Sequence, residues 1–285
     1  MADSHEGSIM SYKTILVHIA PGKHFEKRLE TAIEIARNHD AHLIGLYVFS
    51  PYIPPGYIMA QMGAEIEAAQ NKIAVESLSC AKEAFLKQTS AAGLDHVEWL
   101  AAYVEPVQAM SLHAQYADLV VIGQSDPADD SGVAADFPER VVLATVRPVL
   151  ILPNSGEFPS IGKRILVAWN ASQEATRAIA NATPFLRSAE SVHVMAINAK
   201  NSKDDIIQSE NMVRYLERLG ISAEVRDLHG VEIDVGNELL SSASDLSADL
   251  IVMGCYGHSR LREWVLGGAT HTILESMTIP VLMSH

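Results

Sequence analysis

The residues best suited to chemistry in this chain are glycines that follow a predicted strand in its C-terminal part. A short apolar run, Leu250 to Met253, has strand length and composition, and Gly254 and Gly257 follow it. After nine intervening residues come Gly267 and Gly268. A glycine at the end of a buried strand lets the chain turn sharply and lets backbone N–H groups approach a ligand without an intervening Cβ. The spacing is therefore that of a candidate anion-binding loop.

The residues after the glycine pair favour the start of a helix at Ala269 and Thr270. A glycine loop that leads into a helix N-terminus holds phosphate through oriented N–H donors and the positive end of the helix dipole. Ordinary turn glycines are the alternative interpretation, because glycines commonly follow strands in α/β proteins. The pattern is neither the P-loop G-x-x-x-x-G-K-[ST] nor the dinucleotide fingerprint G-x-G-x-x-G.

The composition excludes several classes of protein. The 285 residues are 48% hydrophobic and 20% charged, which is typical of one large or two ordinary globular domains. A formal net charge of −14 disfavours binding to nucleic acids or anionic membranes. The two cysteines, one in each half, indicate no disulfide framework and fit a reducing compartment. Because no stretch resembles a signal peptide or a bilayer-spanning segment, we expect a cytoplasmic protein.

The elements that must position these glycines belong to a module that occurs twice. Three segments recur in the same order, namely 13–20 with 163–170, 117–123 with 248–254, and 147–152 with 279–284. The segment between the two copies is rich in Pro, Gly and Ser. We therefore expect two domains, residues 1–153 and residues 163–285.

Each copy alternates strand-length apolar runs with segments of helical period. This alternation predicts right-handed βαβ units and a parallel sheet covered by helices on both faces. The expected fold class is α/β, with two doubly wound domains in tandem. Such sheets bind ligands at the carboxyl ends of the strands, where the strand order reverses.

At its glycines the chain resembles the universal stress protein family. Nucleotide-binding members of that family carry G-x-x-G, nine residues, then G followed by Ser or Thr, after the fourth strand of the domain. Gly254, Gly257 and Gly267 occupy the three glycine places. Gly268 stands where the hydroxyl residue is expected, so one side-chain hydroxyl is lost while the backbone N–H remains.

The resemblance covers both copies and implies further features of the architecture. Each domain would have five parallel strands in the order 3-2-1-4-5, which places the glycine loop at the switch between the first and fourth strands. The short last strands, 149–152 and 281–283, pair across a two-fold axis in the family. We therefore expect the two copies to pair within one chain, and further homodimerisation is left open.

The resemblance also implies an adenine-nucleotide site in the second domain, for ATP or ADP with Mg²⁺. Asn170 stands where the family has an acidic residue against adenosine, although Asn170 or Ser172 could instead cap the next helix. The segment around Met195 would offer backbone groups to the base, and Met253 would pack on the base or belong to the ordinary core. The whole predicted site is Ala168, Trp169, Asn170, Met195, Met253, Gly254, Gly257, Gly267, Gly268, Ala269 and Thr270.

The first copy lacks most of the glycines of this predicted site. Asp126 stands in the place of Gly257, and residues 135–138 replace the segment 267–270. Further carboxylates make this loop acidic, which repels phosphate. We hypothesise that the first domain binds no ATP and serves as a scaffold or as a different ligand pocket.

These features favour a nucleotide-binding stress-response regulator with little or no turnover. No catalytic residue is assigned, because no Ser-His-Asp or Cys-His arrangement and no paired carboxylates stand out. No metal site is assigned either, since Cys255, His258 and His271 lack a second pair of ligands. Two alternatives remain, a slow ATP hydrolase or nucleotidyl-transfer enzyme of the same architecture, and an interaction scaffold whose glycine loop is empty.

Overall fold

The computed structural model describes residues 11–20, 22–48, 56–126, 128, 133–198, 203–229, 234–256 and 263–285. Strands and helices alternate along these residues. The strands are β1 (Thr14–Ile19), β2 (His42–Val48), β3 (Val97–Ala102), β4 (Leu119–Gly123), β5 (Val149–Leu152), β6 (Arg164–Trp169), β7 (Ser191–Asn198), β8 (Glu224–His229), β9 (Leu250–Gly254) and β10 (Val281–Ser284). The helices are α1 (Phe25–His39), α2 (Gly56–Ala91), α3 (Pro106–Ala114), α4 (Phe137–Ala144), α5 (Gln173–Asn181), α6 (Thr183–Ser188), α7 (Lys203–Arg218), α8 (Val235–Asp245) and α9 (Glu263–Ser276).

These strands form one sheet in the order β3-β2-β1-β4-β5-β10-β9-β6-β7-β8. Within each half the neighbouring strands are parallel. Both halves have the order 3-2-1-4-5 when their strands are numbered from the first, so the predicted α/β class and strand order are confirmed. The switch between the first and fourth strands lies between β1 and β4 in the N-terminal half and between β6 and β9 in the C-terminal half.

The halves meet through their last strands. β5 and β10 pair antiparallel, with Leu150 opposite Leu282, Ile151 opposite Val281, and Val149 opposite Met283. Leu150 and Leu282 hold equivalent places in the two copies, so an approximate two-fold axis passes between them. This pairing occupies backbone groups that an exposed edge strand would leave open to other chains. The two copies therefore pair within one chain, as expected.

Apolar layers cover both faces of this sheet. Successive strand residues point to opposite faces, so Val17, Val167 and Val252 contribute to one layer, together with α1 and α5. Ala168 and Met253 contribute to the other layer, together with α3, α4, α8 and α9. Within the residues that the structure describes, no helix is long and apolar enough to cross a membrane.

The start of α9 corrects the sequence interpretation. We expected a helix from Thr270, whereas α9 begins at Glu263 and contains Gly267 and Gly268 in its second turn. An acidic residue in the first turn favours a helix start there. Two glycines inside a helix each cost about 1 kcal/mol relative to alanine, a penalty that neighbouring contacts can outweigh.

Candidate functional site

Ala168 lies at the centre of the expected site, near the carboxyl end of β6. Its register partners are Met195 on the neighbouring strand β7 and Met253 on the neighbouring strand β9. Ala168, Met195 and Met253 are buried on the same face of the sheet, in the layer that also contains Ala269 of α9. The structure thus places three of the predicted residues side by side at the switch point, in the same core layer as Ala269.

The first half carries larger side chains at two equivalent places. His18 of β1 corresponds to Ala168, and Phe137 of α4 corresponds to Ala269. Both rings are buried, and their centroids are 4.8 Å apart. The first half therefore has two rings beside its switch point. At the equivalent positions the second half has only the methyl groups of Ala168 and Ala269. This difference was not predicted from the sequence, although the match of segment 13–20 with segment 163–170 already aligns His18 with Ala168.

Asn170 and Ser172 shape the turn that follows β6. Ser172 Oγ accepts a hydrogen bond from the Ala175 N–H at 3.1 Å and caps α5. Asn170 Oδ1 accepts one from the Ser172 N–H at 3.2 Å, and Ala171 between them has a left-handed φ of 58°. The helix-capping interpretation is therefore confirmed for Ser172. A contact between Asn170 and a ligand stays a prediction.

Trp169 points away from this row of residues. It contributes to the apolar layer on the opposite face of the sheet from Ala168. Its indole Nε1 is buried and has no hydrogen-bond partner among the described residues. Buried indole N–H groups usually find an acceptor, and an unmatched one costs stability. The backbone of Trp169 therefore lies beside the expected site, whereas its ring packs on the opposite face of the sheet.

Gly254 has a structural role that does not depend on a ligand. A Cβ at this position would collide with the backbone of Glu174 and Ala175 at the start of α5, and would lie 2.8 Å from the Glu174 Cβ. The absence of a side chain lets α5 pack directly against the carboxyl end of β9. Close helix–strand packing at a switch point is a common use of glycine in this class of fold.

The phosphate-binding part of the prediction is only partly described. Gly257 lies outside the described residues. Gly267 and Gly268 are helical, so their N–H groups run along the axis of α9 and are not loop donors. A Cβ on Gly268 would meet no atom within 4 Å, which leaves open space beside it. Thr270 is buried, with 1% of its surface exposed.

The residues between β9 and the undescribed loop are structural. The Cys255 thiol donates to the Ser284 carbonyl at 3.4 Å, and burial raises its pKa well above the ordinary value. Burial, and the nearby Glu139 carboxylate, likewise raise the pKa of the Tyr256 phenol. Both groups therefore remain protonated near neutral pH. No cluster of three metal-ligating side chains occurs within the described part of the chain.

Arg28 of α1 occupies the switch point of the first half. Its Nε donates to the His18 carbonyl at 2.8 Å and its Nη2 donates to the Ala20 carbonyl at 3.2 Å. A Cβ on Gly123 would lie 2.7 Å from its Nη1, so the guanidinium fills the gap between the ends of β1 and β4. Sequence reasoning missed Arg28. The sequence feature that could have indicated its burial is its position on the apolar face of α1, one helical turn before the buried Ala32.

Asp126 closes the loop that follows β4. Its carboxylate accepts a hydrogen bond from the Ala128 N–H at 2.8 Å and contacts the His24 Nε2 at 3.1 Å. The bond from Ala128, with a smaller effect of His24, lowers the pKa of Asp126. Lys23 Nζ also donates to the Ala128 carbonyl at 3.3 Å. These contacts fasten the loop to the start of α1, in the place where the second copy has Gly257.

Comparison with known proteins gives relatives that resemble parts of the chain. A universal stress protein from Synechocystis sp. is 28% identical over 146 residues, which are 50% of this chain and 49% of that protein. Another from Methanocaldococcus jannaschii is 34% identical over 74 residues, 26% of this chain and 44% of that protein. The chain thus spans about half the length of the curated relatives that it matches.

A solved structure shares the complete fold. A universal stress protein from Archaeoglobus fulgidus superimposes with a TM-score of 0.66, covers 95% of both chains and is 17% identical in sequence. The sequence model of the universal stress protein family matches residues 11–153 and again residues 162–285. These two matches correspond to the two halves of the sheet. The chain therefore belongs to the universal stress protein family, as a tandem of two domains.

Proposed function

We propose that the C-terminal domain binds an adenine nucleotide, ATP or ADP with Mg²⁺, and that the protein regulates a stress response with little or no turnover. The base would lie over the row formed by Met195, Ala168 and Met253, with Asn170 near the sugar. The phosphates would extend toward the segment from Gly254 to Gly268. The N-terminal domain would bind no nucleotide.

One observation carries this proposal: the difference between the two copies at their switch points. The first copy places the rings of His18 and Phe137 where the second has Ala168 and Ala269. Protein interiors are close-packed, so two missing rings must be compensated by neighbouring atoms or by a ligand. Methionines at positions 195 and 253 suit a ligand surface, because their flexible thioethers adapt to a flat ring. The described residues therefore fit the base of a nucleotide.

The electrostatics of the second site also suit a nucleotide better than those of the first. Asp126 in the first copy adds a carboxylate beside the predicted phosphate path, whereas the second copy has Gly257 there. The site needs backbone dipoles to hold phosphate, because the protein as a whole has a net charge of −14. Mg²⁺ bound to the phosphates would reduce the charge that these dipoles must balance.

A scaffold without nucleotide is the competing function, and the start of α9 favours it. If Gly267 and Gly268 keep their helical hydrogen bonds, they cannot donate to phosphate. Binding would then depend on Gly257 and on the first turn of α9, whose N–H groups lack partners within the helix. The described residues give the slow-hydrolase alternative no such support.

Mass spectrometry of the ligand released from natively purified protein tests the proposal. The expected result is ATP or ADP, near one equivalent per chain. Gly257→Val should abolish nucleotide copurification, because a side chain there would block the approach of phosphate to the backbone. Asp126→Val is the matched control at the equivalent place of the first domain and should leave the nucleotide content unchanged. Protein that carries no nucleotide and takes none up on titration would leave the scaffold function.

A further inference from the structure

An exposed apolar patch lies on the outer surface of helices α3 and α4. It consists of Leu112, Tyr116, Leu143 and Val146, whose exposed fractions are 55%, 77%, 45% and 79%. Two hydrogen bonds hold the helices side by side beneath it, from Ser111 Oγ to the Ala144 carbonyl at 2.8 Å and from Arg147 Nη2 to the Gln115 carbonyl at 3.2 Å. Each patch residue is next in sequence to one of these bonded residues, and Tyr116 and Val146 follow the ends of α3 and α4, so the patch lies beside the seam between the two helices.

The second domain shows that the fold does not require this patch. Its helices α8 and α9 occupy the equivalent places and bury the equivalent core residues. The positions that match the patch carry polar residues, and all of them are exposed: Ser241, Asp245, Glu275 and Thr278. A module with the same core therefore has a polar surface in one copy and an apolar surface in the other. The common fold therefore does not account for the apolar surface of the first copy.

We propose that the patch is the contact surface of a homodimer, with the patch of a second chain as its occupant. Docking through the last strands is closed to a second chain, because β5 and β10 pair with each other within the chain. The edges that remain are β3 and β8, at the two ends of the sheet. The patch offers a second chain a contact that uses none of these strands. In a two-fold dimer the same patch serves both partners, which requires only that it be complementary to itself.

The size of the patch suits the centre of such an interface. The four side chains expose on the order of 500 Å², at the upper end of apolar patches on monomeric proteins. A standard interface buries about 800 Å² on each partner, so the patch would supply its apolar core and polar neighbours its rim.

The charge distribution favours the same surface. Two chains of net charge −14 repel each other over most of their area. The patch contains no carboxylate, and Arg147 lies at its seam, half-buried, with its Nη2 donating to the Gln115 carbonyl. Its Nε is also buried without a partner. Chains that meet here avoid the like-charge contact that the rest of the surface would impose.

Sedimentation and light scattering over a range of protein concentrations test this dimer. The wild-type chain should reach twice its mass of 30.9 kDa at high concentration and at near-physiological salt. Leu112→Glu with Val146→Glu should raise the dimer dissociation constant at least about tenfold, since it places carboxylates at the centre of the contact. The matched control, Ser241→Glu with Thr278→Glu, adds the same charge to the polar face of the second domain and should leave the dimer intact.

The outcomes separate cleanly. Wild-type protein that remains at 30.9 kDa throughout, or a dimer that both double variants weaken equally, overturns the proposal. Far-UV circular dichroism and the thermal transition of the Leu112→Glu, Val146→Glu variant should match those of the wild type, because both positions are exposed. If that variant is unfolded, Leu112→Ser with Val146→Ser removes the apolar surface without adding charge and should weaken the dimer in the same direction.

Discussion

His271 Nδ1 lies 3.3 Å from Glu139 Oε1, and the two residues hold equivalent positions in the two halves of the chain. In a symmetric pair of identical domains these positions would place two like side chains against each other. Duplication allowed one copy to become acidic and the other to carry an imidazole. The same Glu139 carboxylate is close enough to Tyr256 to contribute to the raised pKa of its phenol. The contact between the halves is therefore specific to the tandem chain.

Glu139→Gln should weaken the contact between the halves only modestly. The His271 side chain is 62% exposed and that of Glu139 is 32% exposed, so solvent screens the pair. Exposed pairs contribute about 0–1 kcal/mol. A double-mutant cycle with His271→Ala, measured by urea unfolding, should give a coupling within that range. A coupling well above it would mean that the pair is far less hydrated than its exposure indicates.

His18 should make the stability of the N-terminal domain fall in acid. Burial, and the nearby Arg28 charge, hold the pKa of His18 well below its ordinary value of 6.5. In the unfolded chain the ring takes up a proton as the pH falls through 6.5, whereas in the folded domain it stays neutral. The contribution is therefore present above pH 6.5 and is lost below it.

His18→Leu removes this titration while it keeps an apolar side chain of similar size. Between about pH 7 and about pH 5, the wild type should lose about 2 kcal/mol more stability in urea unfolding than the variant. The pKa of His39 is also lowered by burial, but that residue is common to both proteins and its effect cancels in the comparison. Equal losses in the two proteins would show that His18 is not the buried neutral group described here.

Arg28 should be one of the most sensitive polar positions. It is buried and donates to the carbonyls of His18 and Ala20. Arg28→Leu leaves both acceptors without that donor, and hydrogen bonds to a charged group contribute about 1.5–3 kcal/mol each. We expect a loss of about 2–4 kcal/mol in the free energy of unfolding. Arg28→Lys should recover part of this loss. If Arg28→Leu leaves the free energy of unfolding unchanged, the guanidinium contributes no net stability.

Two glycines of the C-terminal domain should respond in opposite directions to alanine. At Gly254 a Cβ meets the backbone of α5, so Gly254→Ala should destabilise the fold by about 1–3 kcal/mol. At Gly268, within α9, a Cβ meets nothing, so Gly268→Ala should stabilise it by about 0.5–1 kcal/mol. If a ligand occupies the space beside Gly268, the same change lowers ATP affinity about tenfold or more. Thermal unfolding and calorimetric titration measure the two effects separately.

Much of the fold could be predicted because the strands are unbroken apolar runs. The runs at Leu119–Gly123 and Leu250–Gly254 gave the core strands of both copies, and their repetition indicated the tandem. Helix boundaries were harder to predict, because local signals compete. The helical segment after β6 is divided at Ala182 into α5 and α6, because Pro184 favours a new helix start there. Gly267 and Gly268 were read as loop residues but lie inside α9.

The contents of the two switch points could not be predicted from strand patterns. His18 and Phe137 are far apart in sequence, and only the folded sheet brings their rings within 4.8 Å. Arg28 is buried in a helix whose other charged residues are at least partly exposed, and its guanidinium fills the gap beside Gly123. The predicted residues Ala168, Met195 and Met253 are neighbours on one face of the sheet, in the layer that also contains Ala269. Their contact with a nucleotide stays a prediction.

Calorimetric titration of the full chain with Mg-ATP and Mg-ADP tests the central proposal most directly. We expect one site per chain in the wild type, and its loss in Ala168→His with Ala269→Phe, which copies the ring pair of the N-terminal domain. The control pair Leu46→Met with Ile122→Met changes the corresponding buried positions of the first domain and should retain binding. Thermal unfolding of each variant reports whether it is folded. No binding by the wild type, or undiminished binding by a folded Ala168→His, Ala269→Phe protein, would contradict the assignment of the nucleotide to this crevice.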